Sequence, residues 1–170
     1  AEHNFRVGIR IGSGGTVQDS QANFNGFLGI QTGPARILRV TVMHNGQMGI
    51  TASQSVISEV VAINNPGWGI NDGWGSLIKN SNISRNGLGI WISAGGTRIV
   101  DSQITGNEGV GIFLQPAIPP GLPSGETLVS SFSGLSLLEN NGGNDNLQIG
   151  GSGGLWTGLG ENLCGRDKTC

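Results

Sequence analysis

Asn45-Gly46-Gln47-Met48-Gly49-Ile50 is one instance of a unit that returns along the whole chain. Its Gly-Ile dipeptide recurs as Gly8-Ile9, Gly29-Ile30, Gly49-Ile50, Gly69-Ile70, Gly89-Ile90 and Gly111-Ile112, at intervals of 21, 20, 20, 20 and 22 residues. A period near 20 is too short for a helix pair and too long for a heptad, and suits one coil of a β-solenoid. An Asn column keeps step with it: Asn25, Asn45, Asn65, Asn86, Asn107 and, after an interruption, Asn140. Eight residues before each Asn stand Val17, Ile37, Ile57, Ile78, Ile99 and Phe132; three before stand Ala22, Val42, Ala62, Ile83, Ile104 and Leu137. Both columns are apolar throughout, in a chain that is only 36% apolar. That sets the register.

Within each coil an apolar residue precedes the Gly-Ile pair: Val7, Leu28, Met48, Trp68, Leu88 or Val110. Read with the alternation of a strand, that residue and the Ile point inward, and the Gly and the residue after Ile point outward. Two residues after Ile comes another inward position, held by Ile11, Thr32, Ala52, Asp72, Ile92 and Leu114. A Gly- or Ser-containing turn follows, then a second strand region with the two apolar columns, and then the Asn turn. Stacked at about 4.8 Å, like residues lie above one another. Asn side chains stacked in this way satisfy backbone groups that a turn would strand, so the Asn column is structural. Six residues before each Asn runs an outward column, Asp19, Arg39, Glu59, Asn80 and Asp101, read as a solvated face with pairs between neighbouring coils.

The expected fold is all-β, a parallel β-helix (β-solenoid) of about six to seven coils over residues 1–150, with a C-terminal cap over 151–170. The repeat breaks after Leu114. Pro116, Pro119, Pro120 and Pro123 exclude an ordinary interior strand, so 115–127 is an inserted loop, either functional or a flap over apolar surface. The 170 residues hold 32 Gly, and Gly with a strict period means repeated turns rather than disorder. Cys164 and Cys170 are spaced to close a small terminal disulfide, which points to an oxidising, secreted or periplasmic compartment. A half metal site is the alternative, with no other Cys or His nearby to complete it.

A net charge of −2 gives no reason to expect nucleic acid or an anionic membrane as partner, and no apolar run is long enough to span a bilayer. No signal peptide is seen, and Ala1-Glu2-His3 reads either as a mature terminus or as an arbitrary boundary. No cap-like segment precedes Phe5, so either the sequence begins mid-solenoid or another copy covers that end in a homo-oligomer.

The repeats Asn25-Gly26-Phe27-Leu28-Gly29-Ile30, Asn45 to Ile50 and Asn86-Gly87-Leu88-Gly89-Ile90 resemble those of the right-handed parallel β-helix proteins, the pectate-lyase-like superfold, in its bacterial secreted form. The resemblance covers roughly residues 5 to 150. It implies a fold that hosts lyases, hydrolases, epimerases and inert spikes alike. The Asn-Thr-Asp, Asp-Asp and Gly-His-Gly blocks of the polygalacturonases are absent, as are a cluster of acidic calcium ligands and any Tyr to serve an epimerase. His3 and His44 fall on a terminus and a turn and read as surface residues.

Two features rise above the scaffold. One is the expected outward strip of Gly, flanked by Arg10, Gln31, Thr51, Asn71, Trp91 and Phe113. There Trp91 and Phe113 are neighbours suited to stacking on a sugar or to a protein interface, unless loop or tail covers them. The other is Asp72, an acid in an inward slot within Asn71-Asp72-Gly73-Trp74. It serves either as a general acid of raised pKa or, the simpler account, as a cap on the turn where the strand ends early. With Trp74 it could line a shallow site. The reading is a secreted non-catalytic module that binds polysaccharide or protein through the Gly/aromatic face, with Trp91, Phe113, Asn71, Asp72 and Trp74 as binding residues. The alternatives are a polysaccharide lyase or hydrolase and a self-assembling spike. No cofactor is expected; calcium would suit Asn and Asp at the turns, but the spacing is not that of a calcium-binding nonapeptide repeat.

Overall fold

A computed structural model describes residues 1–115, 130–133, 136–139, 141, 149–151, 156–159 and 162–164. The 116–129 stretch and Cys170 lie outside the described residues, and with them the expected loop and the expected disulfide.

The Gly-Ile segments form one parallel sheet. Its strands are β1 (Val7–Ile11), β3 (Leu28–Thr32), β5 (Met48–Ala52), β8 (Trp68–Asp72), β11 (Leu88–Ile92), β14 (Ile112–Leu114) and β17 (Ile149–Gly151), stacked in that order. Register follows the repeat: Ile9, Ile30, Ile50, Ile70, Ile90, Ile112 and Ile149 are partners in sequence. The second strand region is itself two ladders meeting at a corner. In β2 (Thr16–Gln21) and β4 (Arg36–Met43) the strand runs through that corner. In later coils it is broken, as in β6 (Val56–Ser58) and β7 (Val61–Ile63), β9 (Leu77–Lys79) and β10 (Asn82–Ser84), or β12 (Arg98–Val100) and β13 (Gln103–Thr105). Each coil is therefore a three-sided loop. Val17, Ile37, Ile57, Ile78, Ile99 and Phe132 stack as expected.

The other column slips once. Ile104 pairs with Leu138 rather than Leu137, and the Asn ladder continues from Asn107 to Asn141 rather than Asn140. Five residues separate Ile99 from Ile104 but six separate Phe132 from Leu138, so one residue is added within that coil. Trp156–Leu159 (β18) and Asn162–Cys164 (β19) pair on β15 (Ser130–Ser133) and β16 (Ser136–Glu139), adding a rung to both flanks inside the stretch expected to be a cap.

The core is a filled prism of aliphatic side chains, with Ile30, Ile37, Ile50, Ile57, Ile70, Ile78, Ile83 and Ile90 at 0% exposure. Burying one such side chain is worth about 1.5–3 kcal/mol. In the five coils whose corner is described, an exposed left-handed residue joins the two flanks: Asp19, Arg39, Glu59, Asn80 and Asp101 have φ from 47° to 56°. The charge pairing expected of that column occurs between Arg39 and Asp19, at 2.6 Å, and holds the Asp19 carboxyl at about 2.

One expectation fails. The glycines of the Gly-Ile pairs do not form an outward strip: Gly29, Gly49, Gly69, Gly89 and Gly111 are buried. A Cβ on Gly69 would stand 2.6 Å from Ile83 Cγ2 and 2.7 Å from Asn86 Nδ2. Gly and Ile therefore both face inward, because the chain is still turning out of the Asn corner when the strand begins, and period-two alternation does not hold across the pair. The residue before the Gly then turns out of the core: Val7, Met48, Trp68, Leu88 and Val110 are half-buried, while Leu28 is covered by its neighbours. Met48 shows it, its sulfur accepting from Thr51 Oγ1 at 3.7 Å and Asn71 Nδ2 at 3.6 Å.

Candidate functional site

Turning the residue before Gly outward brings Trp68 to the outer face of the first sheet, a position that alternation had assigned to the core. Pairing then builds an aromatic cluster across three coils. Trp68 stacks on Trp91 of the next strand, with centroids 5.6 Å apart and planes at 29°. It also lies 6.0 Å from Phe113 of the strand beyond, at 45°. Trp91 and Phe113 are register partners, so the expected neighbours are together, and all three rings are half-buried. Trp91 Nε1 is enclosed without a hydrogen-bond partner. Asn71 is the register partner of Trp91 and carries the row on toward Thr51, Gln31 and Arg10. Alternation missed Trp68, because the burial of the Gly after it, which puts it on the same face as the residue after Ile, arises only from the stacking of coils.

Asp72 and Trp74 do not join this cluster. Asp72 is part of β8, which therefore does not end early, and its side chain points into the interior at 0% exposure. Its carboxylate is nonetheless satisfied. Ser76 Oγ donates to Oδ1 at 2.6 Å, Thr97 Oγ1 donates to Oδ2, and the backbone amides of Ser76 and Trp74 also bond it. Burial raises its pKa above the ordinary carboxylate value, and these four bonds work against that rise. The group holds a turn between two coils and is shielded from solvent. Trp74 sits half-buried on that turn, and its carbonyl accepts from Gln54 N at 2.7 Å.

Farther along the same outer face, the first two coils form a groove of about 530 Å³ lined by Phe5, Arg6, Val7, Arg10, Gly26, Phe27, Leu28 and Gln31. Phe5 is 90% exposed and Phe27 45%. At a separate corner His3, Phe24 and His44 stack with centroids 5.5 and 4.9 Å apart, all three in the left-handed region.

Stacked, three-sided parallel coils define a right-handed parallel β-helix protein, and this one carries a half-buried aromatic strip on the outer side of its first sheet. The family model described as Periplasmic copper-binding protein (NosD) matches residues 4–146, most of the chain, and the chain belongs to that family. No curated protein sequence matches it. Among solved structures, the crystal structure of pectate lyase Pel9A superposes with a TM-score of 0.55 at 16% identity, over 92% of this chain and 51% of the other. This chain thus spans about half the length of that lyase, and the likeness is one of fold. Among the described residues, no helix is long and apolar enough to cross a membrane.

Proposed function

We propose that this chain is a periplasmic, non-catalytic β-helix module that binds polysaccharide along the outer face of its first sheet. The observation that carries the reading is the Trp68–Trp91–Phe113 strip, with the amide of Asn71 beside it. Rings fixed on consecutive rungs of a rigid sheet offer apolar faces to sugar rings without loss of side-chain freedom, and the neighbouring amide serves hydroxyls. The site is open and elongated, as a chain-like ligand requires. The buried glycines give it no flat backbone strip, so the contact belongs to the side chains.

Two other readings gain less support. The copper of the family description needs imidazole, thiolate or thioether donors converging on one point. His3 and His44 are held two coils apart with the Phe24 ring between them, and the sulfur of Met48 accepts from Thr51 and Asn71. Among the described residues no group of three His, Cys, Asp or Glu could hold a metal, so the residues do not fit a copper centre. A lyase or hydrolase needs two acidic or basic groups aimed at one bond, and the buried acid Asp72 faces away from the aromatic strip.

Titration of intrinsic tryptophan fluorescence with a panel of oligosaccharides tests the proposal. Binding is expected to perturb the signal, and Trp91→Ala and Trp68→Ala are each expected to weaken it about tenfold or more, the effect of truncating a central aromatic contact. Wild-type protein that binds no member of the panel ends the proposal. So does a Trp91→Ala protein of unchanged melting temperature that binds as well as wild type.

A further inference from the structure

We infer that the ligand of this face is an anionic glycan, its charged groups read at the Arg6/Arg10 end of the groove. The inference rests on the glycan reading above and adds a charge and a direction to it.

Arg10 lies in the same register row as Trp91, four rungs away through Gln31, Thr51 and Asn71, a distance of about 19 Å at the spacing of adjacent strands. One continuous face therefore joins the aromatic strip to the groove. Both arginines are exposed, and neither forms an ion pair among the described residues. The carboxylates of the first coil are engaged elsewhere: Asp19 holds Arg39, and Glu2 accepts from the Asn23 amide at 3.4 Å. Two unpaired guanidinium groups in one groove are thus set within a chain of net charge −2.

A guanidinium binds carboxylate or sulfate oxygens through two parallel N–H donors, which a neutral sugar cannot use as well. Phe5 and Phe27 frame the same groove with exposed rings, so a ligand there must offer apolar ring faces as well as anionic oxygens. A free inorganic anion meets only half of that demand. An acidic sugar meets all of it, and the Gln31–Thr51–Asn71 row then carries uncharged hydroxyls toward the aromatic strip.

The test is calorimetric titration of the full chain with an oligouronate, with its fully methyl-esterified uncharged counterpart, and with a sulfated oligosaccharide beside its unsulfated parent. At least one anionic ligand is expected to bind about fivefold or more tighter than its neutral partner, the advantage shrinking as salt rises. Which pair shows it separates carboxylate from sulfate. The double variant Arg6→Gln/Arg10→Gln alters only exposed side chains, and is expected to erase that advantage, bringing each anionic ligand to about the affinity of its neutral partner. Equal binding of charged and neutral partners, or a double variant that keeps the preference, overturns the inference but leaves the glycan reading standing. Wild-type protein that binds none of the four overturns both.

Discussion

Asp72 occupies a slot that Ala52 and Ile92 hold in the adjacent coils, and its energetics follow from that. Desolvation pushes its folded pKa above the ordinary carboxylate value. A group whose folded pKa is raised adds stability in full below its unfolded pKa, and that contribution is lost as pH rises through the folded value. Asp19 has the opposite sign. Its pKa, lowered to about 2 by Arg39 and Gln18, gives a contribution present above the unfolded value and lost as pH falls through about 2. Comparing wild type with Asp72→Asn isolates the buried group, since Asp19 is common to both. The difference in melting temperature between the variant and wild type is expected to shift in favour of Asn as pH rises from about 3 toward neutrality. Melting curves that keep a constant separation across that range would show that Asp72 does not change its ionisation cost on folding. Alternation put this position inward, two residues after Ile, but the simpler account of a strand that ends early fails, because β8 runs through Asp72. Its hydroxyl partners were harder to read: Ser76 is four residues on, but Thr97 is 25 residues away and meets Asp72 only through the stacking of coils.

At the scale of elements, the Asn corner is the most fully connected part of the fold. Asn65 Oδ1 accepts from Asn45 N and from Asn45 Nδ2, both at 3.0 Å, while its own amide reaches Asn86 Oδ1 at 3.0 Å and the carbonyls of Val42 and Ile63 at 3.2 Å. Asn65→Ala leaves the buried Asn45 backbone N–H without an acceptor and its side-chain amide with the Ala22 carbonyl alone, and the expected cost is about 2–4 kcal/mol. Asn4 begins the same ladder by donating to Asn25 Oδ1 at 2.8 Å, but it is exposed, and Asn4→Ala is expected to cost less than about 1 kcal/mol. Urea unfolding midpoints at unchanged slope measure both, and equal losses would deny the ladder its role in stability. Asn4 was legible, since it precedes Gly8 by the same four residues that separate Asn25 from Gly29. The corners at Arg39, Glu59 and Phe24 were not. A left-handed residue is inferred from Gly, Asn or Asp, and nothing in Arg, Glu or Phe announces φ values of 51°, 56° and 54°. There stacking of neighbouring coils, not residue type, selects the conformation. The glycines misled for a related reason: small size was read as an open surface, when the next coil's carbonyl and the Asn ladder left no room for a Cβ.

For the molecule as a whole, each coil touches only the coils beside it, so stability is a sum of rung and interface contributions rather than the property of one central core. Period and apolar columns made that architecture readable, because stacking repeats the same demand at every coil. The proposed site is less readable for the opposite reason: it draws on residues that the repeat leaves free to vary, Arg10 in one coil and Trp91 in another. In this 170-residue chain, and among its described residues, strand β1 pairs with β3 alone and its Ile9 and Ile11 are only partly buried, whereas Ile50, Ile70 and Ile90 have a rung on both sides and no exposure. Native-state hydrogen exchange is therefore expected to be graded, slowest at the amides of β5, β8 and β11 and fastest at β1. A ligand spanning Arg10 to Phe113 binds only while those coils remain stacked, and by linkage it must oppose their separation. Saturating with such a glycan is expected to slow exchange most at β1 and β3, where the free protein opens most readily. Uniform protection in the free protein would mean that the chain opens as one unit, and the rung-by-rung account would fall. Graded protection that the glycan leaves unchanged at β1 and β3 would instead confine its contact to the aromatic end.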